Sequence, residues 1–316
     1  MAGMLRQAIL IMSIGLSLLV LTGCGDDRPE QIQHYQKLTD NRLATLAQEL
    51  RNGQLRNAEL LKQYSAILAK QKPQYTALLQ QLAKDATDQG PIFKGLTRRL
   101  SESKDSANFI DLDAQLAEIE NLYQAAAPSL YNDMLSDPVN VIADMSGGTL
   151  ARVNSISRQA DLMANNASDF GAGSQLVGNP SYGQWQTGSN GISFWEWYGM
   201  YALFSNLASP VRYDSWSRHR GYSYYGDVGR YRYTSPKQMK KQQSVYQKTQ
   251  SKFKRQGKSF TSPYAKTRTG STSLSRASQV SASTKSSSSK FRSNYSKSSN
   301  FRNSSSRTSR GISRGK

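Results

Sequence analysis

Arg42 to Ile67 reads RLATLAQELRNGQLRNAELLKQYSAI, and its spacing decides the fold class. Leu43, Leu46 and Leu50, then Leu60, Tyr64 and Ile67, recur in steps of three and four, the mark of an amphipathic helix. Extending that seam between the two groups lands on Gly53 and Asn57. Either the helix ends at Arg51-Asn52-Gly53, a good C-cap signal, or a coiled-coil stripe carries a polar gap. Downstream, Pro73 begins a segment with Leu78, Leu79 and Leu82, which Asp88-Gln89-Gly90-Pro91 ends. A further helix is expected from about Phe109 to Ala127, with Leu112, Leu116, Ile119 and Tyr123 on one face. Pro128, Pro138 and Gly147-Gly148 punctuate shorter helices after it. Residues 30–169 therefore predict a mainly α body, an elongated helical hairpin or small bundle.

The charge is divided sharply along the chain. All 22 acidic residues lie at or before Asp227 and are accompanied by 19 basic ones, whereas residues 228–316 hold 22 basic residues and no acid. The net charge of +19 thus sums a near-neutral body and a strongly cationic C-terminal region. Two His (His34, His219) and one Cys (Cys24) exclude an intramolecular disulfide framework and most metal sites, and no cofactor is implied. Asp111, Asp113, Glu118 and Glu120 lack the spacing of a calcium loop and read as a solvated helix face. Gly171, Gly173 and Gly178 form only a fragment of a phosphate loop, so 170–191 reads as a Gly-rich linker.

Residues 192–233 form an aromatic-rich module. Ile192 to Ala208 (ISFWEWYGMYALFSNLA) has one charged residue, Glu196. At helical spacing Trp197, Tyr201 and Phe204 share a face widened by Tyr198. Such a helix is buried in the body or set into a membrane interface, where Trp195, Trp197, Tyr198, Tyr201 and Phe204 would contact lipid or a partner. After it, Tyr222 to Tyr233 (YSYYGDVGRYRY) alternates around a Gly-bounded turn and predicts a β-hairpin, or an irregular Tyr-rich cover. The Tyr-Arg alternation makes Arg230 and Arg232 candidates for contact with phosphates.

Residues 234–316 read as a disordered Ser/Lys/Arg-rich tail, within which Gln238 to Lys258 carries weak helical anchors at Met239, Val245, Tyr246 and Phe253. Phe291 and Phe301 are each followed by Arg, and Lys290, Arg292, Lys297 and Arg302 are the candidate polyanion-binding cations of this segment.

The N-terminus gives an address. Arg6 precedes an apolar run from Ala8 to Thr22, shorter than the ~20 residues a comfortable membrane span needs. It closes on Leu21-Thr22-Gly23-Cys24, which resembles the lipobox of bacterial lipoproteins. That resemblance implies a signal peptide over 1–23, lipidation of Cys24, and a short anchor linker at 24–29. It places the mature chain on a bacterial envelope membrane, facing the periplasm or the cell surface. There the cationic region meets anionic lipids, lipopolysaccharide or other acidic polymers. A working signal excludes cytoplasmic nucleic acid as a partner. No Ser-His-Asp order, Gly-x-Ser-x-Gly elbow or paired carboxylate points to an enzyme. The expectation is a non-enzymatic envelope lipoprotein; the alternatives are a scaffold docking an envelope protein through the aromatic stretch, or an enzyme acting on cell wall or lipid.

Overall fold

The computed structural model describes residues 26–153, 168, 170–199 and 210–264. Cys24, Tyr201 and Phe204, together with Lys290, Arg292, Lys297 and Arg302, lie outside them. The described chain is mainly helical, with one two-stranded antiparallel sheet and an aromatic cluster.

Helix α1 (Arg28–Arg51) stops where the sequence predicts: Asn52 caps it and Gly53 takes a φ of +66°, a conformation that suits glycine. Helix α2 (Arg56–Gln71) then starts in a new phase. Leu43, Leu46 and Leu50 of α1 are buried as the seam requires. In α2, by contrast, the buried face is Ala58, Leu61, Ser65 and Leu68, and Ile67 is 41% exposed. The break at Gly53 resets the helical phase, so one continuous seam cannot be drawn through both.

A short 3-10 turn (Pro73–Tyr75) leads into α3 (Thr76–Ala83). Helix α4 (Pro91–Ser103), absent from the expectation, opens with Pro91 and buries Ile92, Leu96 and Leu100 at helical spacing. In α5 (Leu112–Ala125) the Asp111 carboxylate caps the start, accepting from the Ala114 N–H at 2.7 Å. Short α6 (Pro128–Met134) precedes α7 (Ser136–Met145), which is buried on nearly every side. A helix enclosed all round is a core element, and α7 packs against α2 on one side and the turn Ser174–Leu176 on another.

The second half departs from the sequence reading in three places. Residues 170–191 are not a linker: Leu176, Val177 and Tyr182 are fully buried, and Gly183–Thr187 forms strand β1. The stretch from Ile192 does not begin as a helix, because Ser193–Trp197 is strand β2, paired with β1 from Gly183↔Trp197 to Thr187↔Ser193. The expected hairpin at Tyr222 to Tyr233 is helical instead. A π-helical turn (Tyr225–Gly229) runs into α9 (Arg230–Tyr233), after α8 (Tyr213–His219). Finally α10 (Pro236–Arg255), with Val245 and Phe253 buried, belongs to the folded body rather than to a tail beginning at 234.

Two buried carboxylates hold these halves together. Asp85 accepts from the Tyr182 hydroxyl (2.7 Å) and the Ile92 N–H (3.2 Å), joining the start of α4 to the chain beside β1. Gly90 makes this possible, since a Cβ there would sit 2.4 Å from the Asp85 Cα. Asp137, in the first turn of α7, accepts from the Tyr224 (2.7 Å) and Tyr225 (2.9 Å) N–H groups. Burial pushes both carboxyls up to about 7, against hydrogen bonds that favour their ionised forms.

A raised carboxyl pKa means that the folded chain holds protons the unfolded chain has released. From about pH 4 to about pH 7, stability should therefore fall as pH rises, then level off. The two sites separate on substitution. In Asp85→Asn the amide can accept from Ile92 and donate to the Tyr182 oxygen. That variant should match or exceed the parent in stability at pH 8 and show a shallower pH dependence. Asp137→Asn instead turns an amide N–H against a backbone N–H, and should cost about 1–3 kcal/mol at the same pH. Urea unfolding at pH 5 and pH 8 checks both; equal losses in the two variants would contradict the assignment.

Candidate functional site

The site is built around a hairpin that needs a glycine at its root. At Gly183 an added Cβ would lie 2.3 Å from the Glu196 carbonyl oxygen and 2.7 Å from the Trp195 ring. The missing side chain lets the Trp195 indole lie on the backbone of β1. Alternation then sends Trp185, Trp195 and Trp197 to the inner face and Gln184, Gln186 and Glu196 to the outer one.

Inside, Trp185 is the hub. Its ring centroid lies 5.1 Å from Trp195, 4.8 Å from Tyr213 and 5.1 Å from Trp216, the first two contacts edge-on. Such edge-on packing places the positive rim of one ring against the negative face of the next. Phe260 extends the cluster to α10, at 6.2 Å from Tyr213 and 4.9 Å from Phe253.

A buried polar network fixes α10 beside the hairpin. The Gln242 amide donates to the Gly178 carbonyl (3.1 Å) and the Tyr225 hydroxyl (2.9 Å), while its oxygen accepts from Arg230 Nε (2.8 Å). Every polar atom of that side chain is thereby engaged, as burial demands. At its start, Ser235 and Gln238 form a reciprocal capping box ahead of Pro236.

Between α4, the outer edge of the hairpin and the first turns of α10 lies a cleft of about 480 Å³. Gln184, Gln186 and Tyr198 line one wall, Lys237, Gln238 and Lys241 the opposite one, with Trp185 and Trp195 between them. Arg98 and Glu102 close one end as an i,i+4 pair at 3.7 Å. A second hollow of about 390 Å³ adjoins the cleft, shares Pro180 and Arg98 with it, and includes Lys94 in its lining. On the hairpin, Gln186 and Gln184 donate to the Glu196 carboxylate (2.9 and 3.2 Å), and Tyr198 donates to Gln184 (3.2 Å). Burial raises the Tyr198 hydroxyl, which stays protonated at neutral pH.

The sequence candidates are placed variously. Trp195 and Trp197, expected to face lipid or a partner, are interior residues at 2% and 6% exposure; Tyr198, at 46%, is the one of the five that is described and exposed. Arg230 does not project as a free cation. Its guanidinium lies 3.8 Å over the Tyr264 ring while Nε meets Gln242. The carbonyl of Arg232 accepts from Arg99 Nη1 (2.6 Å), and Arg99 also pairs with Glu118 at 2.7 Å in the interior. Glu118 is thus a buried partner and not part of a solvated face. His219 Nδ1 lies 3.2 Å from the Ser215 carbonyl, a contact within α8. Among the described residues, no three His, Cys, Asp or Glu side chains gather as metal ligands, and no helix is long and apolar enough to cross a membrane.

The cleft cations Lys94, Arg98, Lys237 and Lys241 were not candidates from sequence, because nothing local links α4 to α10. The hairpin did leave a signal: Asn190-Gly191, with Gly191 at φ +72°, sits between Gln-Trp-Gln and Phe-Trp-Glu-Trp. No family model matches the chain, and comparison with curated proteins and with solved structures found no match.

Gly183→Ala should destabilise the fold by about 1–3 kcal/mol through backbone overlap, and should weaken the near-ultraviolet dichroism of the Trp cluster. Lys237→Ala, an exposed change, should move stability by less than about 0.5 kcal/mol. Thermal melts with near-ultraviolet dichroism check the pair; an unperturbed G183A spectrum would contradict the packing described.

Proposed function

We propose that this is a non-catalytic, lipid-anchored protein of a bacterial envelope, whose basic C-terminal region holds an anionic surface: acidic lipid, lipopolysaccharide or another acidic polymer. In this reading Cys24 carries the anchor and the body faces the periplasm or the cell surface. The supporting observation is how the body presents α10. Gln242, Val245 and Phe253 are buried, whereas Lys237, Lys240, Lys241, Lys248, Lys252 and Lys254 are all exposed. A cationic helix is thus held rigidly by an apolar and amide seam, and the acid-free segment continues from it. Contact with phosphate-bearing polymers by such a charge set is driven by counterion release.

The buried carboxylates Asp85 and Asp137 support the non-catalytic part, since both are engaged in tying chain segments together. Of the surface on which the scaffold alternative rests, Trp195 and Trp197 are interior and Tyr198 is exposed, while Tyr201 and Phe204 lie outside the described residues.

Two measurements test the reading. Cys24→Ser should abolish partition of the processed protein into the detergent phase; unchanged partition removes the anchor. Replacing Lys290, Arg292, Lys297 and Arg302 by Gln should flatten the logarithmic salt dependence of binding to single-stranded DNA, used as a model polyanion, by up to about 3. An unaltered slope, or no binding of the intact chain to anionic vesicles at low salt, would remove the polyanion role of this segment.

A further inference from the structure

We propose that the cleft between α4, the β-hairpin and α10 is a binding site for an acidic saccharide. This site lies in the folded body and does not rest on the anchor or on residues after 264. Three observations lead to it.

The first is shape. The two hollows, about 480 and 390 Å³, share Arg98, Pro180, Tyr198 and Gln238 in their linings, so they adjoin. Each lies within the range of roughly 300–1,000 Å³ typical of small-ligand sites. Two adjoining hollows suit a ligand of more than one ring better than a single compact molecule.

The second is charge. Lys237 and Lys241 are exposed on one wall and Lys94 on the far side. Glu102 is the one carboxylate in the lining, and Arg98 offsets it. Glu196 stands next to the cleft, held by Gln184 and Gln186. The lining therefore keeps a positive balance, supplied by point-charge ammonium groups rather than planar guanidinium forks.

The third is the character of the neutral lining. Gln184, Gln186, Gln238, Ser244 and the Tyr198 hydroxyl offer both donors and acceptors, which matches ligands dense in hydroxyl groups. Trp195 is 2% exposed, and Trp185 packs against three rings, edge-on to two and tilted to the third, so neither offers an open face to a nucleobase. That contrast favours an acidic sugar chain over single-stranded nucleic acid, whose binding needs open aromatic platforms.

The test titrates the mature full-length protein with tetragalacturonate and reads intrinsic Trp fluorescence and heat. The expected result is saturable binding with a fluorescence change. Lys237→Ala/Lys241→Ala should weaken it about tenfold, as expected for losing charge-assisted hydrogen bonds. Neutral maltotetraose should bind weaker than tetragalacturonate by a similar factor. Gln184→Leu should weaken both sugars together, which a purely electrostatic surface would not do. Replacing Lys290, Arg292, Lys297 and Arg302 by Gln should leave the affinity within about twofold, because the cations assigned to the site are Lys94, Lys237 and Lys241. That last variant separates this site from the polyanion role of the C-terminal segment: each can fail while the other stands. No binding at low salt, affinity unchanged in the double Lys variant, or oligothymidylate binding tighter than tetragalacturonate with the same Lys dependence would each overturn the proposal.

Discussion

Asp137 sits in the first turn of α7, on a helix with almost no exposed surface, and accepts two backbone N–H groups from Tyr224 and Tyr225. Those donors belong to the start of a helical segment, whose first N–H groups have no partner within their own helix. One carboxylate thus solves two problems. It caps a helix start 87 residues further along the chain, and it satisfies its own lone pairs in a place that water does not reach. The π-helical turn, α9 and the docking of α10 all follow from where that cap places Tyr225, because the Tyr225 hydroxyl then meets Thr234 (2.6 Å) and Gln242.

A second set of polar contacts fixes the orientation of α9 on α5. Asn121 donates to the Tyr231 carbonyl (2.7 Å), Tyr233 donates to the Ala125 carbonyl (2.9 Å), and Arg99 bridges Glu118 and the Arg232 carbonyl. A buried ion pair of this kind contributes little net stability compared with apolar packing, because both charges lose their hydration. Its effect is directional: α9 has one register on α5 in which three carbonyls find donors. The Arg220–Asp227 pair, bidentate at 3.0 and 2.6 Å with both side chains almost wholly buried, plays the same part on the other side of the π-helical turn.

How much of this was legible in the sequence depends on where the information resides. Apart from α4, which was missed, the helices of residues 28–145 were readable because Leu43, Leu46 and Leu50 repeat at helical spacing and Gly53, Pro73 and Pro128 mark boundaries. The phase of α2 was not, since Leu60 and Leu61 are adjacent and only packing selects Leu61 for the core. In the aromatic module the failure is instructive. Phe194-Trp195-Glu196-Trp197 fits a strand and a helix equally well, and the Asn190-Gly191 turn that would have decided it lies just upstream. Tyr222 to Tyr233 misled in the opposite sense, because its alternation is real but Asp137 forces helical geometry on it. The cleft joins residues 94–102 to 184–198 and 237–245, a proximity that no local pattern encodes.

The last described residues are tied down by two arginines as well as by the packing of Phe260 on α10. Arg220 Nε donates to the Pro263 carbonyl, and Arg230 stacks on Tyr264. Tension applied to the chain beyond Tyr264 would therefore not fall on α10 alone. One branch would pass through Arg220 to Asp227, whose carboxylate also holds the Ser223 N–H beside Tyr224, and so into α7. A second branch runs from Tyr264 through Arg230 to Gln242, which lines the cleft, so the end of the described chain is coupled both to the enclosed helix α7 and to the candidate site.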